Sequence, residues 1–258
     1  MPFVQGIHYS FQQSKETNPS RPPLIFIHGA GGSFLSFHPY LRHIQGETIY
    51  ALDLPGHGKS VGKGRQSIEE YADDIARFMD DLQIASAVMV GLSMGSGIAL
   101  SFALKYPHKV SALVVMGGGA KLRVAQSTLE NVGKPETFEA TVETINRACF
   151  STYASNELVE LSKKSMLSTG PDILFSDYLA CNHFDVTTQL NQIRIPTLLL
   201  CGMEDAMTPP KYSQYLRDRL PNAQLHLLEK TGHMVTLEQP ELVAKLLKQF
   251  LDELPPLS

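Results

Sequence analysis

Residues 87–104 decide the reading: Ala87-Val88-Met89-Val90 runs into Gly91-Leu92-Ser93-Met94-Gly95-Ser96-Gly97, and Ile98-Ala99-Leu100-Ser101-Phe102-Ala103-Leu104 follows at once. A short continuous apolar run suits a strand buried on both faces. The apolar stretch after the glycines reads as a helix, so Ser93 sits on a sharp turn from strand to helix. Such a turn needs small residues two positions before and two after the serine, and Gly91 and Gly95 supply them. There a hydroxyl stands exposed at a strand end, with the next backbone N–H, that of Met94, beside it. G-x-S-x-G alone is equally a plain small-residue turn. The strand before it and the helix after it make Ser93 a candidate nucleophile.

Similar strands recur on either side. Leu24-Ile25-Phe26-Ile27 ends in His28-Gly29-Ala30-Gly31-Gly32-Ser33. Three glycines let the backbone pass close to a ligand and leave N–H groups free. The loop after this strand is where a second oxyanion donor belongs when a nucleophile turn is present. No G-x-G-x-x-G pattern occurs here, which excludes a dinucleotide-binding reading. Residues 3–14 alternate loosely and fit an edge hairpin, and Ser14 to Pro23 reads as a loop. Phe34 to Ile44 reads as a helix broken early by Pro39, and Thr48 to Leu52 as a strand. Asp53-Leu54-Pro55-Gly56-His57-Gly58-Lys59-Ser60 is a turn, in which His57 between glycines reads as structural. Ser67 opens a helix with Glu70 placed for a capping box, and Ile68, Tyr71, Ile75, Phe78, Met79 and Leu82 form its buried face.

Val110 to Met116 is a further strand, closed by Gly117-Gly118-Gly119. From 120 to 189 only helices are expected, over 138–150, 157–166 and 173–180. Alternation resumes with a strand at 195–201, a helix at 209–220 and a strand at 225–228. A closing helix at 240–254 carries Leu242, Leu246, Phe250 and Leu254 near one face. Alternating strands and helices imply an α/β protein, with a mostly parallel central sheet covered by helices on both faces. Residues 1–119 and 190–258 are expected to form its core domain, with 120–189 inserted as a helical cap.

Composition removes several classes. In 258 residues, 43% are hydrophobic and 19% charged, so a large core is expected rather than disorder. The net charge of −4 and the lack of a basic tract speak against nucleic acid or an anionic membrane surface as partner. Three widely spaced cysteines, Cys149, Cys181 and Cys201, make neither a disulfide framework nor a zinc site. No metal or other cofactor is expected. No stretch approaches the roughly 18 apolar residues of a membrane helix, and the N-terminus lacks a secretory pattern, so a cytoplasmic protein is expected. Oligomeric state is not legible.

A serine hydroxyl needs a base, and the base needs a carboxylate to fix its tautomer. Asp205 follows the strand at 195–201, and His233 follows the strand at 225–228 with Gly232 before it. Both stand at carboxyl ends of strands, where open parallel sheets place their sites. Glu204 is the competing carboxylate. His28, His38, His43, His108, His183 and His226 have no comparable setting.

Taken together, His28 to Gly32, Asp53 to Ser60, Gly91 to Gly95, Gly202 to Asp205 and Thr231 to His233 resemble the α/β-hydrolase superfamily along nearly the whole chain. The plan is similar to small serine carboxylesterases and to their pimeloyl-ester and C–C-bond hydrolase relatives. The resemblance implies Ser93 as nucleophile, His233 as general base then acid, and Asp205 as its orienting group. It also implies oxyanion donors on the backbone N–H groups of Met94 and Ala30, with Gly31 competing for the second place. Haloalkane dehalogenases and epoxide hydrolases of this fold use an aspartate nucleophile. Serine at position 93 and the absence of tryptophan set them aside.

The function expected is hydrolysis of small to medium carboxylic esters through an acyl-enzyme. C–C or thioester hydrolysis on the same triad and a small-molecule receptor are the alternatives. Gly31, Phe34, Phe138, Phe175 and Tyr178 are candidate substrate contacts, although packing is the ordinary role of each aromatic.

Overall fold

The computed structural model describes residues 2–14 and 21–254. Positions 15–20 of the loop expected over 14–23 lie outside the described residues. An edge hairpin, β1 (Phe3–Val4) and β2 (Ile7–Gln12), leads into β3 (Leu24–Ile27), β4 (Ile49–Leu52), β5 (Ala87–Leu92), β6 (Val110–Met116), β7 (Thr197–Gly202) and β8 (Ala223–Leu228). One sheet holds them in the order β1-β2-β4-β3-β5-β6-β7-β8. The β1–β2 and β2–β4 pairs are antiparallel and all later pairs parallel.

Every residue of β3, β5 and β7 is buried, as continuous apolar runs require of strands covered on both faces. Their side chains divide with the pleat. Ile25, Ile27, Met89, Leu113, Val115 and Leu199 face α2 (Ile68–Asp81) and α3 (Met94–Lys105), which follow β4 and β5 in the chain. Leu24, Phe26, Val88, Val90, Val114 and Leu198 face the other side, which is covered by α1 (Pro39–Arg42) and by the last helix of the chain, at 240–253. Phe26 is wholly buried there, and truncating such a ring to alanine costs about 3–5 kcal/mol. The α3 helix, apolar all round, is itself buried from Met94 to Ala103.

Between β6 and β7 lie α4 (Gln126–Val132), α5 (Pro135–Cys149), α6 (Asn156–Thr169) and α7 (Pro171–His183). They share a separate apolar cluster that includes Val132, Val142, Ile145 and Leu174. The two ends of this helical stretch meet in an antiparallel bridge between Lys121 and Asp185. Sequence reasoning passed over α4, a polar helix with only Val132 buried. The chain closes with α8 (Pro210–Arg217), α9 (Val235–Glu238) and α10 (Pro240–Glu253). No helix among the described residues is long and apolar enough to cross a membrane.

Two expectations need correction. In place of a helix over 34–44 there is a 3-10 turn, Phe34–Ser36, and the single-turn α1, because Pro39 can begin a helix but not continue one. On α10 the buried residues are Val243, Leu247, Phe250 and Leu251, whereas Leu242 is exposed. A strict spacing of four drifts around a helix of 3.6 residues per turn, so only Phe250 of the expected stripe is fully buried.

Candidate active site

The chain leaves β3 to β4 on one side and returns to β5 on the other, so the strand order reverses between β3 and β5. Open sheets present their binding crevice at the carboxyl ends of strands flanking such a reversal. There Ile27 is in register with Gly91, which places the loop 28–33 beside Ser93.

Ser93 has φ +55° and ψ −117°, a strained backbone for a residue with a side chain. Its neighbours permit it. A β-carbon on Gly91 would lie 2.1 Å from the Gly95 carbonyl oxygen, and one on Gly95 would lie 2.0 Å from that of Ile27. The Ser93 N–H donates to the Met116 carbonyl at 2.8 Å, and the Ser96 hydroxyl donates to the Ser93 carbonyl at 2.5 Å. The turn is thus held from β6 and from the first turn of α3.

At the end of β7 the Asp205 carboxylate is filled by donors. Its Oδ1 accepts the N–H groups of Met207 at 2.9 Å and Thr208 at 2.7 Å. Its Oδ2 accepts the Thr208 hydroxyl at 2.9 Å and faces His233 Nδ1 at 2.8 Å. Burial alone would raise the Asp205 pKa; the His233 ring and the Thr208 donors outweigh it, and the pKa is lowered. An ionised Asp205 assigns the proton to His233 Nδ1 and leaves Nε2 as acceptor. Glu204 points elsewhere, accepting the Thr152 N–H and hydroxyl at 3.1 Å each. The N–H of His233 donates to the Cys149 carbonyl at the end of α5 at 2.9 Å. Glu238 accepts from Gly232 and from Ser151, both at 3.0 Å.

Ser93 and His233 line one cavity of about 360 Å³. No hydrogen bond joins Ser93 Oγ to His233 in this conformation. Catalytic hydrogen bonds of this kind are often long until a substrate closes them. The cavity is walled by Gly29 to Gly32, by Leu158, Leu161 and Met166 of α6, by Tyr178 and Cys181 of α7, and by Met207, Met234 and Leu237. Burial raises the thiols of Cys149, to about 12, and Cys181, so both stay protonated and unreactive at neutral pH.

Of the expected contacts, Gly31 and Tyr178 line the cavity; Phe34, Phe138 and Phe175 do not. Phe34 is buried beneath the glycine loop, edge-on to His8 and under the Arg42 guanidinium. Phe138 packs among the helices of the 126–183 stretch, and Phe175 against Gly133. Large rings gain more by filling an interior than by lining a wet cavity. Flexible Met166, Met207 and Met234 take their place, and sequence reasoning missed them. The available signal was that Met234 directly follows His233 and Met207 closely follows Asp205.

In the glycine loop the Gly31 N–H is taken: it donates to Asp177 Oδ2 at 2.8 Å. The N–H groups of Ala30 and Met94 have no acceptor among the described residues. His57 is fully buried, with Nε2 2.8 Å from Asp177 Oδ2 and Nδ1 3.1 Å from the Pro55 carbonyl. Burial opposes its charge, but the Asp177 carboxylate prevails and raises its pKa. His28, whose ring is 4.8 Å from that of His57, is lowered to about 4 by burial and by the neighbouring charge. Among the described residues no cluster of three His, Cys, Asp or Glu side chains is placed to hold a metal.

A family model described as alpha/beta hydrolase fold matches residues 22–169 and 174–240. The chain is 29% identical to a 2-hydroxy-6-oxononadienedioate/2-hydroxy-6-oxononatrienedioate hydrolase of Burkholderia vietnamiensis, over 95% of this chain and 90% of that one. It is 26% identical to a pimeloyl-[acyl-carrier protein] methyl ester esterase of Neisseria meningitidis, over 93% and 80%. The solved structure of a thermophilic esterase superposes with a TM-score of 0.83 at 29% identity, over 97% and 96%. A family match that spans both halves of the chain joins the reversed strand order and the strained serine turn, and the chain belongs to the α/β-hydrolase family.

Proposed function

We propose that this protein is a serine hydrolase that cleaves uncharged carboxylic esters of small to medium size. One observation carries the reading: Ser93, strained at the end of β5, shares a largely apolar cavity with His233, whose Nδ1 is paired with Asp205. Ser93 Oγ attacks the ester carbonyl carbon as His233 Nε2 takes its proton. The carbonyl electron pair moves to oxygen, which rests on the N–H groups of Met94 and Ala30. The tetrahedral adduct collapses, the C–O bond breaks, and the alcohol leaves with the proton from His233. Water, deprotonated by His233, then attacks the acyl-enzyme and releases the acid. The choice of Ala30 over Gly31 is supported by the hydrogen bond that already occupies the Gly31 N–H.

The cavity also bears on substrate. Among the described residues no lysine or arginine lines it. A dicarboxylate, such as the name of the Burkholderia relative prints, would enter without a cationic partner, at the cost of desolvating its charge. Neutral acyl groups meet no such cost. Hydrolysis of nitrophenyl esters from acetate to palmitate, with Ser93→Ala as control, tests the reading. Serine-dependent activity that peaks at short or middle chains is expected. Activity retained in Ser93→Ala overturns the nucleophile, and activity confined to C–C or thioester substrates overturns the ester preference.

A further inference from the structure

Asp177 lies in the middle of α7 with no exposed surface. A buried carboxylate persists only where its oxygens are filled. Three segments of the chain fill them. The Tyr71 hydroxyl of α2 donates to Oδ1 at 2.6 Å. His57 Nε2, from the loop after β4, and the Gly31 backbone N–H both meet Oδ2 at 2.8 Å. The second nitrogen of His57 faces a carbonyl, which can only accept, so hydrogen-bond accounting makes the ring an imidazolium paired with the carboxylate.

The other side of Gly31 is held as well. Its carbonyl accepts the Thr169 hydroxyl, from the last residue of α6, at 2.9 Å. With φ +64°, Gly31 is packed so closely that a β-carbon would lie 2.7 Å from Leu174 Cδ1 and 3.1 Å from Met166 Cγ. The N–H, the carbonyl and the open face of this one residue are therefore all set by α6 and α7. Gly31 follows Ala30 directly, so whatever fixes the Ala30–Gly31 peptide fixes one side of Ala30.

We propose that Asp177 and Thr169 are positioning residues for the reaction, holding Gly31 from the helical stretch so that the Ala30 N–H stays directed at the substrate oxygen. The proposal rests on the reading of Ser93 as nucleophile and Ala30 as oxyanion donor. It gives α6 and α7 a part in transition-state stabilisation besides walling the cavity. Losing a whole oxyanion donor costs about 10²–10³ in rate. Loosening one of its two side-chain restraints is expected to cost about tenfold.

The test uses Thr169→Val, Thr169→Ser and Asp177→Asn. Each is compared with the wild type in kcat and KM on the best nitrophenyl ester and in the inhibition constant of an alkyl trifluoromethyl ketone. Ser93 Oγ adds to that ketone, its proton passes to His233, and the former carbonyl oxygen becomes an oxyanion in the place the transition state uses. Thr169→Val is expected to lower kcat about tenfold with KM within about twofold, to weaken ketone binding by the same factor, and to be rescued by Thr169→Ser. Asp177→Asn, where it folds, is expected to lose more. Thr169→Val also removes a hydroxyl without leaving a buried charge, so the test does not depend on the aspartate variant. Unchanged kcat and ketone affinity in Thr169→Val, or a loss confined to KM, overturns the positioning role. Failure of the wild type to bind the ketone through Ser93 overturns the nucleophile reading instead, and the positioning role with it.

Discussion

Gly117 leaves no room beside His233: a β-carbon there would lie 3.0 Å from His233 Nδ1, and also 3.3 Å from Asp205 Oδ2. Gly117 directly follows β6 at φ +53°, a conformation that side chains resist, with its N–H bound to the Leu200 carbonyl at 2.9 Å. Gly117→Ala should therefore push the His233–Asp205 pair out of line from behind. A displacement near 1 Å costs about 10²-fold in rate, and that loss is expected in kcat. Steady-state kinetics beside a thermal melt check it; a folded variant within threefold of wild-type kcat would show that the pair tolerates the shift.

Asp205 and Glu204 are adjacent in sequence but face different partners. Asp205 is buried on His233, whereas Glu204 holds Thr152. Asp205→Asn keeps the shape but takes away the acceptor that fixes the His233 tautomer, and a kcat loss on the order of 10⁴ is expected. Glu204→Gln should stay within a few-fold. Parallel kinetics on the two variants decide the matter, and a larger loss in Glu204→Gln would move the orienting carboxylate.

What was legible in the sequence is what local chemistry dictates. The runs 24–27 and 110–116 match their strands to the residue, because each is almost continuously apolar, with Ser111 the one polar residue, and is bounded by turn-forming residues. Ser93, Asp205 and His233 could be picked out as candidates because each stands in a short glycine-bearing turn after a strand. The cavity wall was only partly readable: Gly31 and Tyr178 line it, but Phe34, Phe138 and Phe175 do not, because which residues of α6 and α7 face inward depends on how those helices dock, and single-helix patterns do not encode docking. Asp177 shows the difference. Its signal was a lone carboxylate within Ile173-Leu174-Phe175-Ser176-Asp177-Tyr178-Leu179, a position where burial demands a partner. Its partners, Gly31, His57 and Tyr71, lie more than a hundred residues away in sequence, beyond the reach of any spacing rule.

The paired histidines predict how stability depends on pH. His28 Nε2 accepts the Leu54 N–H at 3.0 Å and Nδ1 meets the Gly29 carbonyl at 2.8 Å, an arrangement that holds the ring neutral. With its pKa lowered from 6.5 to about 4, the unfolded chain binds the proton first, so stability falls as pH drops through that window, by about 3 kcal/mol from this group. His57 works the other way. Asp177 and Asp53 favour its charge, its near neighbours are the rings of His28 and Tyr71, and its pKa is raised. Its contribution is complete below 6.5 and is lost as pH rises through the folded value. Stability from these two groups should therefore peak near pH 6.5. Urea denaturation from pH 4 to 9 would show it, and His57→Gln should flatten the alkaline limb; an alkaline limb unchanged in that variant would remove His57 as its cause.

Tyr178 is expected to influence selectivity among neutral substrates. The ring is 7% exposed and lines the cavity, and its hydroxyl has no hydrogen-bond partner among the described residues. Burial raises its pKa well above 10, so it stays a neutral donor at any working pH. An all-carbon acyl chain packed on that hydroxyl strips its water and returns nothing, whereas an acyl chain with a carbonyl or ether oxygen accepts its proton. Tyr178→Phe should therefore raise kcat/KM for a nitrophenyl pentanoate and lower it for the 4-oxopentanoate. One hydrogen bond of about 0.5–1.5 kcal/mol predicts a selectivity change approaching tenfold. Competition between the two esters measures the ratio directly. A variant that slows or speeds both by the same factor would place the acyl chain away from Tyr178, along the wall formed by Leu158 and Leu161.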